Sequence, residues 1–238
     1  MNYFAHGRSY VEEPYFLAGT AVPDWLNVVN RRVKARSKAA LVWIDDSDPL
    51  LASVARGVVQ HHVDDDWFHQ SPAFLELQWR FTVELRASLP DNDGLRPSFL
   101  GHILVELLLD SALIVESPSR LDAYYAALER LDARAVQEAV ERISGKELPT
   151  LATWIPRFCQ ERFLYDYQED AKLLARLNMV MRRVGLSPLP ASLVEWLPGA
   201  RLEVAQKRAA LLARPSTERP ANDETVSKSP ATGEGSEP

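Results

Sequence analysis

The stretch that decides the fold is S-F-L-G-H-I-L-V-E-L-L-L-D-S-A-L-I-V, residues 98–115. It is apolar almost all round a helix, and a helix of this kind is buried. Its polar exceptions, His102, Glu106 and Asp110, follow one another at steps of four residues, so the three side chains share one helix face. Because a buried carboxylate is costly unless it is paired or binds a metal, this face predicts a polar centre inside the core.

The same spacing of four residues occurs earlier in the chain, at His61, Asp65 and His69. If this segment is helical, one of its faces presents an imidazole, a carboxylate and a second imidazole. Two helices that each present a nitrogen ligand and a carboxylate could enclose a metal ion between them. Such mixed ligands suit zinc, iron or manganese, with magnesium as a further candidate, and the sequence does not choose among them.

Simpler interpretations of these residues stay open. A single histidine on an apolar helix, such as His102, is usually a satisfied core residue. A histidine and an aspartate four residues apart usually form a solvated pair. The run Asp64-Asp65-Asp66 could also cap the N-terminus of a helix that begins near Trp67.

The rest of the chain predicts an all-α fold. Apolar residues recur at helical spacing over residues 51–62, 74–88, 121–143 and 157–184, and over 191–212 with an interruption near Pro198 and Gly199. Residues 39–44 are compatible with a strand but isolated. Residues 214–238 are rich in proline and lack aromatic residues, so we expect a disordered tail after one helical domain at residues 1–213.

Composition limits the classes of function. The 238 residues, 46% of them hydrophobic, can bury one sizeable core. A formal net charge of −6 argues against a nucleic-acid partner held by bulk electrostatics. The single cysteine, Cys159, excludes an intrachain disulfide. Because no targeting segment is visible and no apolar stretch approaches the ~20 residues of a spanning helix, we expect a cytoplasmic protein without a membrane partner.

The opening hexapeptide, M-N-Y-F-A-H at residues 1–6, adds a more specific pattern. It is followed by Gly19, Asp24, Gly57, His61 and Asp65. This combination resembles the acyl carrier protein phosphodiesterase family, whose members open with Met-Asn-Phe-Leu-Ala-His. They then carry a glycine, an aspartate five residues on, and a helix with a His-x-x-x-Asp element.

The resemblance covers residues 1–115, about half of the chain. His69 and Pro72 fill later places of the His-x-x-x-Asp element, and His102 and Glu106 occupy the places of two helix carboxylates. The chain departs from the family at three positions: His62 replaces an arginine, and His69 and His102 replace acidic residues.

The family belongs to the HD-type metal phosphohydrolases, so the resemblance implies an HD-like helical fold, a divalent metal ion and phosphodiester hydrolysis. Its implied substrate is acyl carrier protein, from which phosphopantetheine is released. The metal ligands that it implies are His6, Asp24, His61, Asp65, His102 and Glu106.

Within that set, Asp24 or Asp65 would orient the attacking water or take its proton. The simpler interpretations are a frayed N-terminal histidine for His6 and a helix cap for Asp24. A ligating imidazole also needs an acceptor for its second nitrogen. The residues expected to fill this role or to support the ligands are His62, Asp64, Asp66, His69 and Asp110.

Two other segments bear on partners. The basic run from Arg31 to Lys38 could dock an acidic substrate such as acyl carrier protein, or a nucleotide, although a solvated helix face is the simpler interpretation. The aromatic-rich segment 154–167 could wall a pocket or belong to the core. The competing functions are a non-catalytic helical scaffold or interaction protein, and a metal hydrolase of nucleotide or lipid phosphodiesters.

Overall fold

A computed structural model describes residues 1–89 and 97–214, and every regular element within these ranges is a helix, which confirms the all-α prediction. The α-helices are α1 (Tyr3–Gly7), α2 (Pro14–Val29), α3 (Ser37–Ala40), α4 (Pro49–Gln70), α5 (Pro72–Ser88), α6 (Pro97–Glu116), α7 (Pro118–Glu129), α8 (Ala133–Ser144), α9 (Leu151–Glu161), α10 (Asp170–Arg183) and α11 (Leu193–Leu211). Two 3-10 helices cover Leu41–Trp43 and Phe163–Gln168. The tail predicted for residues 214–238 lies outside the described residues, except for Arg214.

Helix α6 lies at the centre of the fold, as its sequence predicts. Leu104, Leu108 and Leu109 have no exposed surface, because α5, α11, α1 and the second 3-10 helix pack around α6. By length and composition alone, α6 is also the one described helix that could cross a membrane. This is weak evidence, since 67% of the apolar window is buried inside the protein and the core helix of a soluble protein passes the same test.

Helices α2 and α4 pack on each other more extensively than any other pair of described helices. Two glycines allow this approach, because a Cβ atom on Gly57 would lie 2.1 Å from the carbonyl oxygen of Phe16 and 2.8 Å from the Cα atom of Gly19. A Cβ atom on Gly19 would lie 2.3 Å from the carbonyl oxygen of Val54. The close packing holds α2 against the face of α4 that carries His61.

Helix α4 continues without a break from Pro49 to Gln70. The interpretation of Asp64–Asp66 as the cap of a helix beginning near Trp67 is therefore wrong. The cap interpretation of Asp24 is also wrong, since Asp24 lies inside α2, directly after the internal Pro23. The actual N-cap of α4 is Asp48, whose side chain accepts hydrogen bonds from the first turn.

Several predicted helix boundaries differ from the structure. Residues 121–143 fall in two helices, α7 and α8, because Asp132 caps the start of α8. Residues 157–184 are divided at Arg162, whose φ of 43° ends α9. Helix α11 instead runs through Pro198 without the expected interruption. Residues 39–44, compatible with a strand by sequence, lie in α3, the first 3-10 helix and the turn after it.

Candidate metal centre

The short helix α1 and the middle of α4 bring together His6, His61 and Asp65. We call these three residues the α1–α4 triad. The Nε2 atom of His6 lies 3.2 Å from Oδ1 of Asp65, and Nε2 of His61 lies 3.4 Å from Oδ2 of the same carboxylate. One ligand atom from each residue lies within 4.8 Å of the others, which is a spacing that could hold a metal ion.

The orientation of both histidines suits a metal ligand. Nδ1 of His61 lies 2.9 Å from the carbonyl oxygen of Thr20, which can only accept a hydrogen bond, so this nitrogen carries the proton. The other ring nitrogen of His61, Nε2, then faces Asp65. The His6 ring stacks on the His61 ring with centroids 4.1 Å apart, and neither of its buried nitrogens has a hydrogen-bond partner among the described residues.

A second group lies on the facing sides of α4 and α6. It consists of His69, His102 and Glu106, which we call the α4–α6 triad. Oε1 of Glu106 lies 2.8 Å from Nε2 of His69 and 3.2 Å from Nε2 of His102, and the two imidazole rings are 4.6 Å apart. All three residues are partly exposed, and their ligand atoms again lie within 4.8 Å of one another.

The expectation that all six predicted ligands meet in one metal-sized cavity is corrected by this arrangement. The ligand atoms that lie within 4.8 Å of one another form two separate groups, so the predicted ligands His6, His61 and Asp65 are divided from His102 and Glu106. His69, expected to support the ligands, lies beside Glu106 as a potential ligand itself.

A positive charge connects the two triads. The terminal ammonium group of Met1 donates to Asp65 at 2.6 Å and to Glu106 at 3.2 Å. Asp65 and Glu106 are therefore only two hydrogen bonds apart, and the ammonium group between them balances part of their negative charge.

The electrostatics keep both carboxylates charged. Burial favours the neutral form of Asp65, but contacts with His6 and His61 and the Met1 ammonium hold its pKa well below the ordinary value. Burial likewise opposes the charge on Glu106, and the Met1 ammonium, His102 and His69 together lower its pKa. Both groups are thus in the form that ligates metal.

Asp24 approaches the centre from α2. Its Oδ2 atom is buried and has no hydrogen-bond partner among the described residues. Burial raises the pKa of Asp24, against the lowering effect of the nearby His61 and His6. Asp24 thus faces the α1–α4 triad with an unused oxygen, but it does not share either group of close ligand atoms.

Asp110, the third polar residue of α6, holds α1 in place. Its two oxygens accept hydrogen bonds from the backbone nitrogens of Phe4 at 3.0 Å and Ala5 at 2.7 Å. Burial raises the pKa of Asp110 to about 7, although the two N–H donors oppose this shift. Asp110 orients no imidazole nitrogen by direct contact, but it positions the helix that carries His6.

The other residues predicted to support the ligands divide into those near the centre and those away from it. Nδ1 of His6 lies 3.6 Å from Oδ2 of Asp64, a distance longer than a hydrogen bond. Asp64 nevertheless faces the ring nitrogen of His6 that is not turned toward Asp65. Asp64 also forms an ion pair with Arg214 at 2.7 Å. Arg214, which the sequence predicts as the first residue of the tail, therefore contacts the folded part of the chain. Asp66 is exposed. His62 points away, with Nε2 on the carbonyl oxygen of Ala35 at 2.7 Å.

A cavity of about 540 Å³ opens beside Asp24 and the α4–α6 triad, and no residue of the α1–α4 triad lines it. Asp24, His102 and Glu106 form its polar end, and the aromatic side chains of Trp154, Phe163 and Tyr167 contribute to its wall. The aromatic-rich segment 154–167 therefore contributes both to the cavity wall and to the core, since Phe158 from the same segment is fully buried. The sequence indicated this segment as a possible wall, but not that it lies beside Asp24, His102 and Glu106.

No protein-family model, curated protein or solved structure matches this chain.

Proposed function

We propose that the protein is a metal-dependent phosphodiester hydrolase. The observation that carries the proposal is the α1–α4 triad, in which two imidazoles and a carboxylate converge close to Asp24, a residue that also lines the cavity. Three protein ligands leave coordination positions for water and substrate, as in catalytic rather than structural metal sites. A bound divalent cation would lower the pKa of a water molecule and polarise a phosphoryl oxygen.

The residues of the chain have separate roles in this proposal. His6, His61 and Asp65 hold the cation, while the Thr20 carbonyl fixes the orientation of His61. The α4–α6 triad, whose His102 and Glu106 line the cavity, would bind a phosphoryl oxygen or hold a second cation.

Asp24 is the proposed general base, because its unpartnered oxygen faces the same space and is not committed to another group. It takes a proton from the attacking water as the water oxygen bonds to phosphorus. The ester P–O bond then breaks, and the leaving alkoxide takes up a proton. The products are a phosphomonoester and an alcohol. Asp65 is a weaker candidate for the base, since the Met1 ammonium and two imidazoles already surround its carboxylate.

The test is hydrolysis of bis(4-nitrophenyl) phosphate by the full chain with Mn²⁺, compared with the same protein in EDTA. We expect metal-dependent release of nitrophenolate, which Asp24→Asn lowers by about 10²- to 10⁴-fold, as loss of a general base does. Asp66→Asn is the matched control, because Asp66 is exposed on the same helix as the ligands, and its rate should stay within about two-fold of the wild type.

Two results would refute the proposal. One is the absence of any metal-stimulated hydrolysis by the wild type. The other is equal rates for Asp24→Asn and Asp66→Asn. Phosphopantetheine release from holo-acyl carrier protein, assayed in parallel, tests the more specific substrate that the sequence resemblance implies.

A further inference from the structure

The cavity lined by Asp24, His102 and Glu106 also has largely apolar walls. Three helices each contribute one face to it, with lining residues at steps of three or four. Helix α6 contributes Phe99, His102, Ile103, Glu106 and Leu107. Polar and apolar side chains alternate on this face of α6. A ligand bound beside His102 and Glu106 would therefore also contact apolar side chains.

The apolar wall continues with residues from other elements. Helix α10 contributes Met179 and Val180, Val184 follows its last residue, and Trp154 and Phe163 come from α9 and the second 3-10 helix. Tyr167 already accepts from Asn2 and Arg176 is paired with Asp166, which leaves Nε1 of Trp154 as a buried donor without a partner among the described residues. A wall of this composition favours an apolar group over one that needs several hydrogen bonds.

Three exposed cations, Arg31, Lys34 and Arg183, also line the cavity. From Asp24, helix α2 continues for about 8 Å along its axis to its last residue, Val29. Beyond that end of the helix, Arg31 and Lys34 also line the cavity. The side chain of Arg31 donates to the backbone carbonyl of Arg183, which joins the two sides of the rim. Within residues 1–89 and 97–214, none of these three exposed cations forms an ion pair with a carboxylate.

We infer that the cavity binds an amphiphilic phosphate compound, with its apolar group against the wall formed by α6 and α10 and an anionic group at Arg31, Lys34 and Arg183. This inference rests on the proposed function and narrows it, since it makes the substrate a phosphodiester with an apolar organic substituent. A nucleotide is a poorer fit, because its base needs several hydrogen-bonding groups and this wall is mostly apolar, with Nε1 of Trp154 as an unpartnered donor.

The inference can be tested on the metal-free full chain, which separates it from the proposed hydrolysis. The probe is octyl phosphate below its critical micelle concentration, titrated by calorimetry and compared with inorganic phosphate, octanol and adenosine monophosphate. We expect octyl phosphate to bind at least about ten-fold more tightly than any of the other three, because it alone engages both the wall and the cations.

Matched variants locate the binding. Arg183→Gln should weaken octyl phosphate about five-fold, whereas Arg182→Gln, at an exposed neighbour that does not line the cavity, should leave it unchanged. Phe99→Ala should also weaken binding by about five-fold or more, and Trp79→Ala, which removes an exposed aromatic outside the cavity, should not.

The inference is overturned if octyl phosphate binds no more tightly than phosphate or octanol, if adenosine monophosphate binds more tightly, or if each variant and its control behave alike. Binding of octyl phosphate by a protein that shows no metal-dependent hydrolysis would support the cavity's preference and refute the proposed function alone.

Discussion

The close approach of α2 and α4 can be tested by adding one methyl group at Gly57. A Cβ atom there would lie 2.1 Å from the Phe16 carbonyl oxygen, and Cβ atoms in real proteins essentially never approach within 3.0 Å of another heavy atom. The contact is therefore too short by about 1 Å. Because the clashing atoms belong to the α2 backbone, no side-chain rotation relieves them, and the two helices must separate.

Gly199→Ala is the matched control. Gly199 is an exposed residue inside α11, and an added Cβ atom would meet nothing within 4 Å. Both substitutions gain about 1 kcal/mol of helix propensity. Overpacking at Gly57 should cost about 3 kcal/mol, the upper end of the usual range. We therefore expect Gly57→Ala to lower the free energy of unfolding by about 2 kcal/mol and Gly199→Ala to raise it by about 1 kcal/mol.

The assay is urea denaturation followed by far-ultraviolet circular dichroism, with all three proteins compared at one temperature and pH. Helix separation would also lengthen the 2.9 Å contact between Nδ1 of His61 and the Thr20 carbonyl, so Gly57→Ala should bind metal more weakly. Equal stability of the two variants would refute the assigned role of the Gly19–Gly57 contact.

Two further predictions concern buried titratable groups. The pKa of Asp110 in the folded protein is raised to about 7, whereas its ordinary value is near 4. Between these two values the folded state holds a proton that the unfolded state releases. The free energy of unfolding that Asp110 contributes therefore falls as pH rises. The destabilisation caused by Asp110→Asn, measured by urea denaturation, should thus be about 2 kcal/mol smaller at pH 7 than at pH 5, and a penalty that grows with pH would contradict this sign. Burial raises the pKa of the Cys159 thiol to about 12, so Ellman's reagent should label the native protein slowly at pH 8 and the urea-unfolded protein at once. Rapid labelling of the native thiol would show that Cys159 is not buried as described.

The sequence predicted the elements of the site better than their arrangement. The spacing of His61, Asp65 and His69 indicated one face of a helix, and α4 presents that face. The same spacing could not say that His61 pairs with His6 while His69 pairs with His102. That division depends on where α1 and α6 dock along α4, and docking is a matter of long-range packing rather than of local periodicity.

The missed helix boundaries have local causes that a hydrophobic pattern does not register. Arg162 takes a left-handed conformation, which sequence analysis expects at glycine rather than at arginine. Asp132 caps α8 in the middle of a stretch whose apolar spacing continues on both sides. The sequence indicated the aromatic part of the cavity wall, in residues 154–167, but not that Phe99 and Val180 line the same cavity in the folded chain.

The central claim is that the α1–α4 triad binds a divalent cation, and titration calorimetry of Mn²⁺ into metal-free protein tests it most directly. Two adjacent histidines provide the comparison, since His61 faces Asp65 and His62 faces the Ala35 carbonyl. We predict that the wild type and His62→Ala bind at least one equivalent of Mn²⁺ with similar affinity, and that His61→Ala binds it at least about ten-fold more weakly. A wild type that binds no Mn²⁺, or a His61→Ala variant that binds it as tightly as His62→Ala, would contradict the account.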